Sequence, residues 1–253
     1  MSMKAAVDPH FPARKNRLLA QTIYQTLVLP PLRRTFDRVA LLDRSGDAGR
    51  GLPTILYSNH VSWWDGYLAF VLEQHWHGEF YLMMEEAQLR RYRFFQRCGC
   101  FSVDRQDARE GLRSVQYAAD LLRGGAQRTL LIFPQGTLTP NDRRPLITYP
   151  GVTHIAKRVG AVRCIPMAIR LEFLLQQRAT AFLRLGPAHV IEGGSARALQ
   201  AELDARLLQE VDCLRDDVVS GDPTDYPTLL RGRRSINVWW DEVRTSLTPK
   251  RRH

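Results

Sequence analysis

Thr54-Ile55-Leu56-Tyr57 is an apolar run of strand length that breaks into the polar stretch Ser58-Asn59-His60-Val61-Ser62-Trp63-Trp64-Asp65-Gly66, after which Tyr67-Leu68-Ala69-Phe70-Val71-Leu72 is apolar again. The first run reads as a strand, and the second belongs to a helix over 63–75. Ser62-x-x-Asp65 has the spacing of a helix cap, with Asp65 near the third helical position. His60 then sits in the loop before the first turn. Five residues on a regular helix turn roughly 500°, so His60 and Asp65 can meet only if His60 lies outside the helix. A carboxylate that holds one ring nitrogen of a histidine leaves the other free to take a proton from a hydroxyl. Taken alone, the same residues describe a capping box beside a loop histidine.

Outward from this stretch, strand-like and helix-like runs alternate. Phe80-Tyr81-Leu82-Met83, Phe101-Ser102-Val103, Thr129 to Phe133, Cys164 to Ile169 and Ala181 to Leu185 read as strands, and 107–123 and 150–159 as helices. The alternation predicts an α/β fold, a mixed and largely parallel sheet flanked by helices. Before it lies a helix from about Lys15 to Leu29, with Leu19, Ile23 and Leu27 on one face and Pro30-Pro31 at its end. After it, Leu199, Leu203, Leu207, Val211, Leu214 and Val218 recur at helical spacing. The expected organisation is an N-terminal helical arm over 1–50, a core over 51–190, and a C-terminal amphipathic helix with a basic tail over 191–253.

Charge is distributed in the same three parts. The chain of 253 residues carries a formal charge of +10, and residues 1–50 hold nine basic against four acidic side chains, while 231–253 hold seven against two. The middle is neutral. Positive ends on a neutral body point to an anionic membrane surface and away from nucleic acid, whose binders carry basic residues on the fold itself. Trp239-Trp240 among the arginines and the one lysine of the tail suit a membrane interface. No apolar run approaches the roughly 18–20 residues of a transmembrane helix. Gln21, Thr22, Gln25 and Thr26 interrupt the stretch that resembles a signal peptide, and Arg33-Arg34 stand where a cleavage site would be. Cys98, Cys100, Cys164 and Cys213 lack paired zinc spacing. A reduced, cytoplasmic protein, peripheral on the inner face of the membrane and without a metal, is expected.

Ligands of open α/β sheets bind at the carboxyl ends of strands. Three further strand ends carry polar chemistry: Gly99 to Asp104-Arg105, Phe133-Pro134-Gln135-Gly136-Thr137, and Ile165-Pro166-Met167. A serine-hydrolase elbow (G-x-S-x-G), a P-loop and a dinucleotide fingerprint are all absent from the sequence.

These blocks, in this order, resemble the glycerolipid acyltransferase family typified by 1-acylglycerol-3-phosphate acyltransferase. Asn59 to Asp65 is similar to its N-H-x-x-x-x-D block, Gly99 to Arg105 to its second block, Phe133 to Thr137 to F-P-E-G-T, and Ile165 to Met167 to its hydrophobic-Pro-hydrophobic block. The resemblance covers about residues 51–190. It implies that His60 is the general base for an acceptor hydroxyl and that Asp65 orients it. It further implies that Asn59, Arg105, Gln135, Gly136 and Thr137 contact substrate. The co-substrate would be acyl-CoA or acyl carrier protein and the acceptor a lipid alcohol, lysophosphatidate-like or otherwise, with no bound cofactor.

Gln135 stands where the family usually has Glu, Leu138 where it often has Arg, and Pro150 where Lys is common. Arg105 and Arg143-Arg144 remain as cations for a phosphate. The alternatives are a lipid-binding relative in which Gln135 and Leu138 mark lost activity, and a basic nucleic-acid-binding protein.

Overall fold

The computed structural model describes residues 8–174, 176–221 and 226–233. Their nine strands form one sheet: β1 (Phe36–Asp43), β2 (Thr54–Ser58), β3 (Glu79–Glu85), β4 (Cys100–Val103), β5 (Arg128–Ile132), β6 (Val162–Glu172), β7 (Ala179–Leu185), β8 (His189–Ile191) and β9 (Thr228–Arg231). The order is β4-β3-β5-β2-β6-β7-β1-β9, with β8 added to β6. From β4 to β6 every neighbour is parallel. β7 is antiparallel to β6, β1 is parallel to β7, and β9 is antiparallel to β1. The fold is the α/β architecture with a mixed, largely parallel sheet that the sequence predicts.

All five residues of β2 are buried, which is why its sequence shows no polar alternation. Successive side chains of the central strands enter opposite layers. Leu56, Leu131 and Ile165 pack toward the arm and α3 (Asp65–His75), whereas Ile55, Leu130 and Cys164 pack toward α5 (Ala108–Arg123), α6 (Gly151–Val159) and α7 (Ala196–Val219). Each such side chain contributes roughly 1.5–3 kcal/mol by leaving water. The six apolar positions expected on the C-terminal helix are all buried along α7, whose Ser195 cap accepts from the Ala198 N–H. Between β3 and β4 the chain forms α4 (Glu86–Arg91) and a 3-10 turn over Arg93–Cys98.

Three local expectations are corrected. Pro30-Pro31 do not end the arm: α1 (Arg17–Ile23) passes through a π-helical turn, Tyr24–Val28, into α2 (Leu29–Thr35). The Leu29 N–H bonds the Tyr24 carbonyl, which shifts the register so that the prolines fall in the first turn of α2, where a missing N–H is tolerated. Phe36–Asp43, expected within the arm, is a sheet strand whose Phe36, Val39 and Ala40 are buried; Asp37 and Arg38 break its apolar pattern. Thr228–Arg231, expected within the C-terminal helix and tail over 191–253, is a strand that pairs with β1. Trp239-Trp240 and the rest of the basic tail beyond Arg233 lie outside the described residues.

Candidate active site

The chain leaves the sheet at the carboxyl end of β2. Asn59 is buried, and its side chain takes over from the strand ladder: Nδ2 donates to the Ile169 carbonyl at 2.9 Å, and Oδ1 accepts the Ile169 N–H at 2.7 Å. His60 follows, half-buried, with its ring stacked on Phe133 at 4.4 Å between centroids. His60 Nδ1 lies 2.7 Å from Asp65 Oδ2. The same oxygen accepts the Val61 N–H at 2.7 Å and the Ser62 N–H at 3.0 Å. An ionised carboxylate only accepts, so the proton of the pair sits on Nδ1 and Nε2 is the free base.

Asp65 is fully buried and opens α3 as its first residue, two positions earlier in the helix than the capping-box spacing predicts. The Asp65 N–H bonds the Ser62 carbonyl at 3.1 Å, and Ser62 Oγ accepts from the Trp64 N–H at 3.1 Å. Ser62 therefore caps a tight turn that precedes the helix. The positive end of the helix dipole favours the carboxylate there. With the chain held in that turn, the residues of the His-x4-Asp spacing come together although a continuous helix would separate them.

The loop after β5 holds His60 from the other side. Gln135 Oε1 accepts the His60 N–H at 2.7 Å, and the Thr139 N–H donates to the His60 carbonyl at 2.9 Å. Gly136 has φ +66°, a left-handed conformation that suits glycine. A Cβ there would stand 2.7 Å from Arg105 Nη1, so the bare backbone also lets the guanidinium lie across the turn.

His60, Arg105, Gly136 and Thr137 open on one pocket of about 690 Å³. Its remaining wall is apolar, from Leu27, Trp63, Tyr67, Phe70, Leu82, Met83, Met84, Tyr92, Phe94, Phe95, Phe133 and Leu138, with Glu85 and Gln88 at intervals. The volume is that of a small-molecule site, and a long apolar wall beside one reactive imidazole suits a chain with a reactive head.

Asn59 and Gln135, expected to contact substrate, are buried away from this pocket with their amides engaged by the protein. Arg144 is also diverted: it pairs with Asp212 of α7, and neither it nor Arg143 lines the pocket. Thr139 and the Tyr92-Phe94-Phe95 wall carry no motif in the sequence, and Phe133, the first residue of its block, has no role assigned there. For the wall, the aromatic density within Arg90 to Arg97 was an available signal. Cys98 and Cys100 are buried as free thiols, and burial pushes the Cys98 thiol up to about 12, which disfavours the thiolate. Among the described residues, no group of three His, Cys, Asp or Glu side chains is placed to hold a metal.

Residues 43–170, just over half of the chain, match the family model described as Acyltransferase. The chain belongs to the acyltransferase family. The acyltransferase match runs from the end of β1 to β6 and includes His60, Asp65, Arg105 and the 133–137 turn. No curated protein matches the chain. Among solved structures, this acyltransferase is similar to the crystal structure of the 1-acyl-sn-glycerophosphate (LPA) acyltransferase PlsC from Thermotoga maritima, with a TM-score of 0.50, 16% identity, and coverage of 78% of this chain and 77% of that one. That likeness is one of fold. The family resemblance in the sequence blocks is borne out, and none of the described helices is long and apolar enough to cross a membrane.

Proposed function

We propose that this acyltransferase moves a fatty acyl group from the thioester of acyl-CoA or acyl carrier protein to the hydroxyl of a lipid alcohol. The observation that carries the proposal is the His60–Asp65 pair, whose imidazole lines the apolar pocket. His60 Nε2 takes the proton of the acceptor hydroxyl as its oxygen attacks the thioester carbonyl; the ester C–O bond forms, the C–S bond breaks, and the departing sulfur takes the proton back from the imidazolium and leaves as the free thiol. Asp65 stabilises the imidazolium formed on the way. No nucleophilic Ser or Cys is needed, since the alcohol attacks directly, and such a base contributes about 10²–10⁴-fold in rate. Thr137 and Arg105 bind the polar ends of the two substrates, and the aromatic wall takes the acyl chain.

An uncharged lipid alcohol is the favoured acceptor over a lysophosphatidate-like one. Arg105 is the single Lys or Arg among the described lining residues, and Glu85 stands 3.7 Å from it, so a phosphate dianion meets one cation already opposed by a carboxylate. Leu138, half-exposed on the lining, adds apolar surface there.

The protein works at an anionic membrane surface on the cytoplasmic side. Exposed Leu18, Leu19 and Leu27 on the arm, with Trp63 and Leu138 at the pocket, support this, as do the basic residues of 1–50. The test is incubation with labelled acyl-CoA and either lysophosphatidate or a neutral lipid alcohol, with products identified by mass spectrometry. Acylation that His60→Ala abolishes while the protein stays folded is expected. Turnover at the wild-type rate by folded His60→Ala would refute the reading.

A further inference from the structure

The geometry points to Gln135 and Thr139 as a pair of positioning residues that set His60 by its main chain. The inference rests on His60 being the base of the proposed reaction. Both hydrogen-bonding groups of His60's own backbone end on the loop after β5: its N–H on Gln135 Oε1 at 2.7 Å, its carbonyl on the Thr139 N–H at 2.9 Å. Gln135 Nε2 donates to Thr139 Oγ1, and Thr139 Oγ1 reaches the His60 carbonyl at 3.5 Å, which closes a ring of hydrogen bonds.

The ring matters because His60 lies beyond the end of β2 at Ser58 and has no strand neighbour to satisfy its backbone. A backbone group left unpaired in a part-buried site costs free energy, so the loop would shift to find partners. Phe133, which stacks on the imidazole, belongs to the same segment. One segment thus grips the ring by its face and the main chain by its two polar groups, while Asp65 grips Nδ1. Gln135 is 5% exposed and absent from the pocket lining, so it acts through His60 and touches no substrate. An amide meets both demands at this position: its oxygen accepts an N–H, and its nitrogen donates to a hydroxyl.

The test compares Gln135→Leu, Gln135→Glu, Thr139→Val and Thr139→Ser in the full chain by steady-state kinetics and by amide hydrogen exchange at His60. A base displaced by about 1 Å loses on the order of 10²-fold in rate, so Gln135→Leu is expected to lower kcat by about 10- to 100-fold with KM for both substrates nearly unchanged, and Thr139→Val, which keeps the Thr139 N–H on the His60 carbonyl and removes only the hydroxyl that holds Gln135, to lower it by less. Exchange at the His60 amide should accelerate in Gln135→Leu. Thr139→Ser keeps the hydroxyl, and Gln135→Glu still accepts the His60 N–H and can accept from the Thr139 O–H, so both should restore most of kcat. A raised acceptor KM at constant kcat would overturn the proposal in favour of direct substrate contact. Lower stability with unchanged kcat per folded molecule would reduce the pair to a structural role. If the wild type transfers no acyl group, the proposed function falls, and the exchange measurement still decides whether Gln135 holds the His60 main chain.

Discussion

Replacing Asp65 by Asn separates the charge of the carboxylate from its shape. Oδ2 accepts three hydrogen bonds, from His60 Nδ1 and from the Val61 and Ser62 N–H groups, whereas buried Oδ1 has no partner among the described residues. The Asn oxygen should therefore occupy the Oδ2 position, because the reverse orientation would face an NH2 group toward two backbone donors. The Nδ1–H tautomer survives, and only the negative charge beside the imidazolium is lost. A hydrogen bond to a charged partner is worth about 1.5–3 kcal/mol against about 0.5–1.5 for a neutral one, so losing the charge while keeping the bond costs roughly 1–1.5 kcal/mol, a fall in kcat of about 5- to 10-fold. The NH2 group left at the Oδ1 position is buried without an acceptor, a stability cost of about 1–3 kcal/mol. The assay is single-turnover acyl transfer at pH 7.5 with an unfolding curve on the same preparation. A folded variant at the wild-type rate would show that the carboxylate does nothing for His60. A loss near the ~10⁴-fold that a wrong tautomer gives would refute the orientation argued here.

Phe70 lines both the 690 Å³ pocket and a neighbouring cavity of about 250 Å³ beside Lys15 and Glu73, so Phe70→Ala should join the two and shift the preferred acyl chain to greater length. It should also cost about 3–5 kcal/mol of stability, and an unchanged chain-length profile in the folded variant would show that Phe70 is not the wall. Leu138→Arg should move kcat/KM toward lysophosphatidate relative to a neutral alcohol by about 10-fold or more, since it adds a charge-assisted bond; a preference that stays put would remove Leu138 from acceptor choice. Burial pushes His189 down to about 4, with Arg206 adding to the effect. The neutral ring favours the fold above the imidazole's usual range, and that stability is lost as pH falls from about 6.5 toward 4, by an amount of order 1–2 kcal/mol once the part-exposed ring's solvation is allowed for. Urea unfolding across that range should show the loss, and His189→Leu should flatten it; parallel curves would place the acid sensitivity elsewhere.

The sequence by itself determined the elements whose patterns are local. The unbroken apolar run at Thr54-Ile55-Leu56-Tyr57 needs only burial on both faces to be a strand, and the leucine spacing of α7 needs only one covered side. His60 and Asp65 were legible for the same reason, since five residues and one turn bring them together. The tertiary structure alone decided what depends on distant partners. Asn59 is turned from substrate to structure by Ile169, 110 residues on, and Gln135 by the backbone of His60, 75 residues back. Phe36–Asp43 became a strand by pairing with β7 and β9, both far along the chain, despite an interrupted apolar pattern. Periodicity records which face of an element is covered. A hydrogen-bond partner supplied by another loop leaves no periodic trace, and the polar residues of this site look alike in sequence whether they face the pocket or the protein.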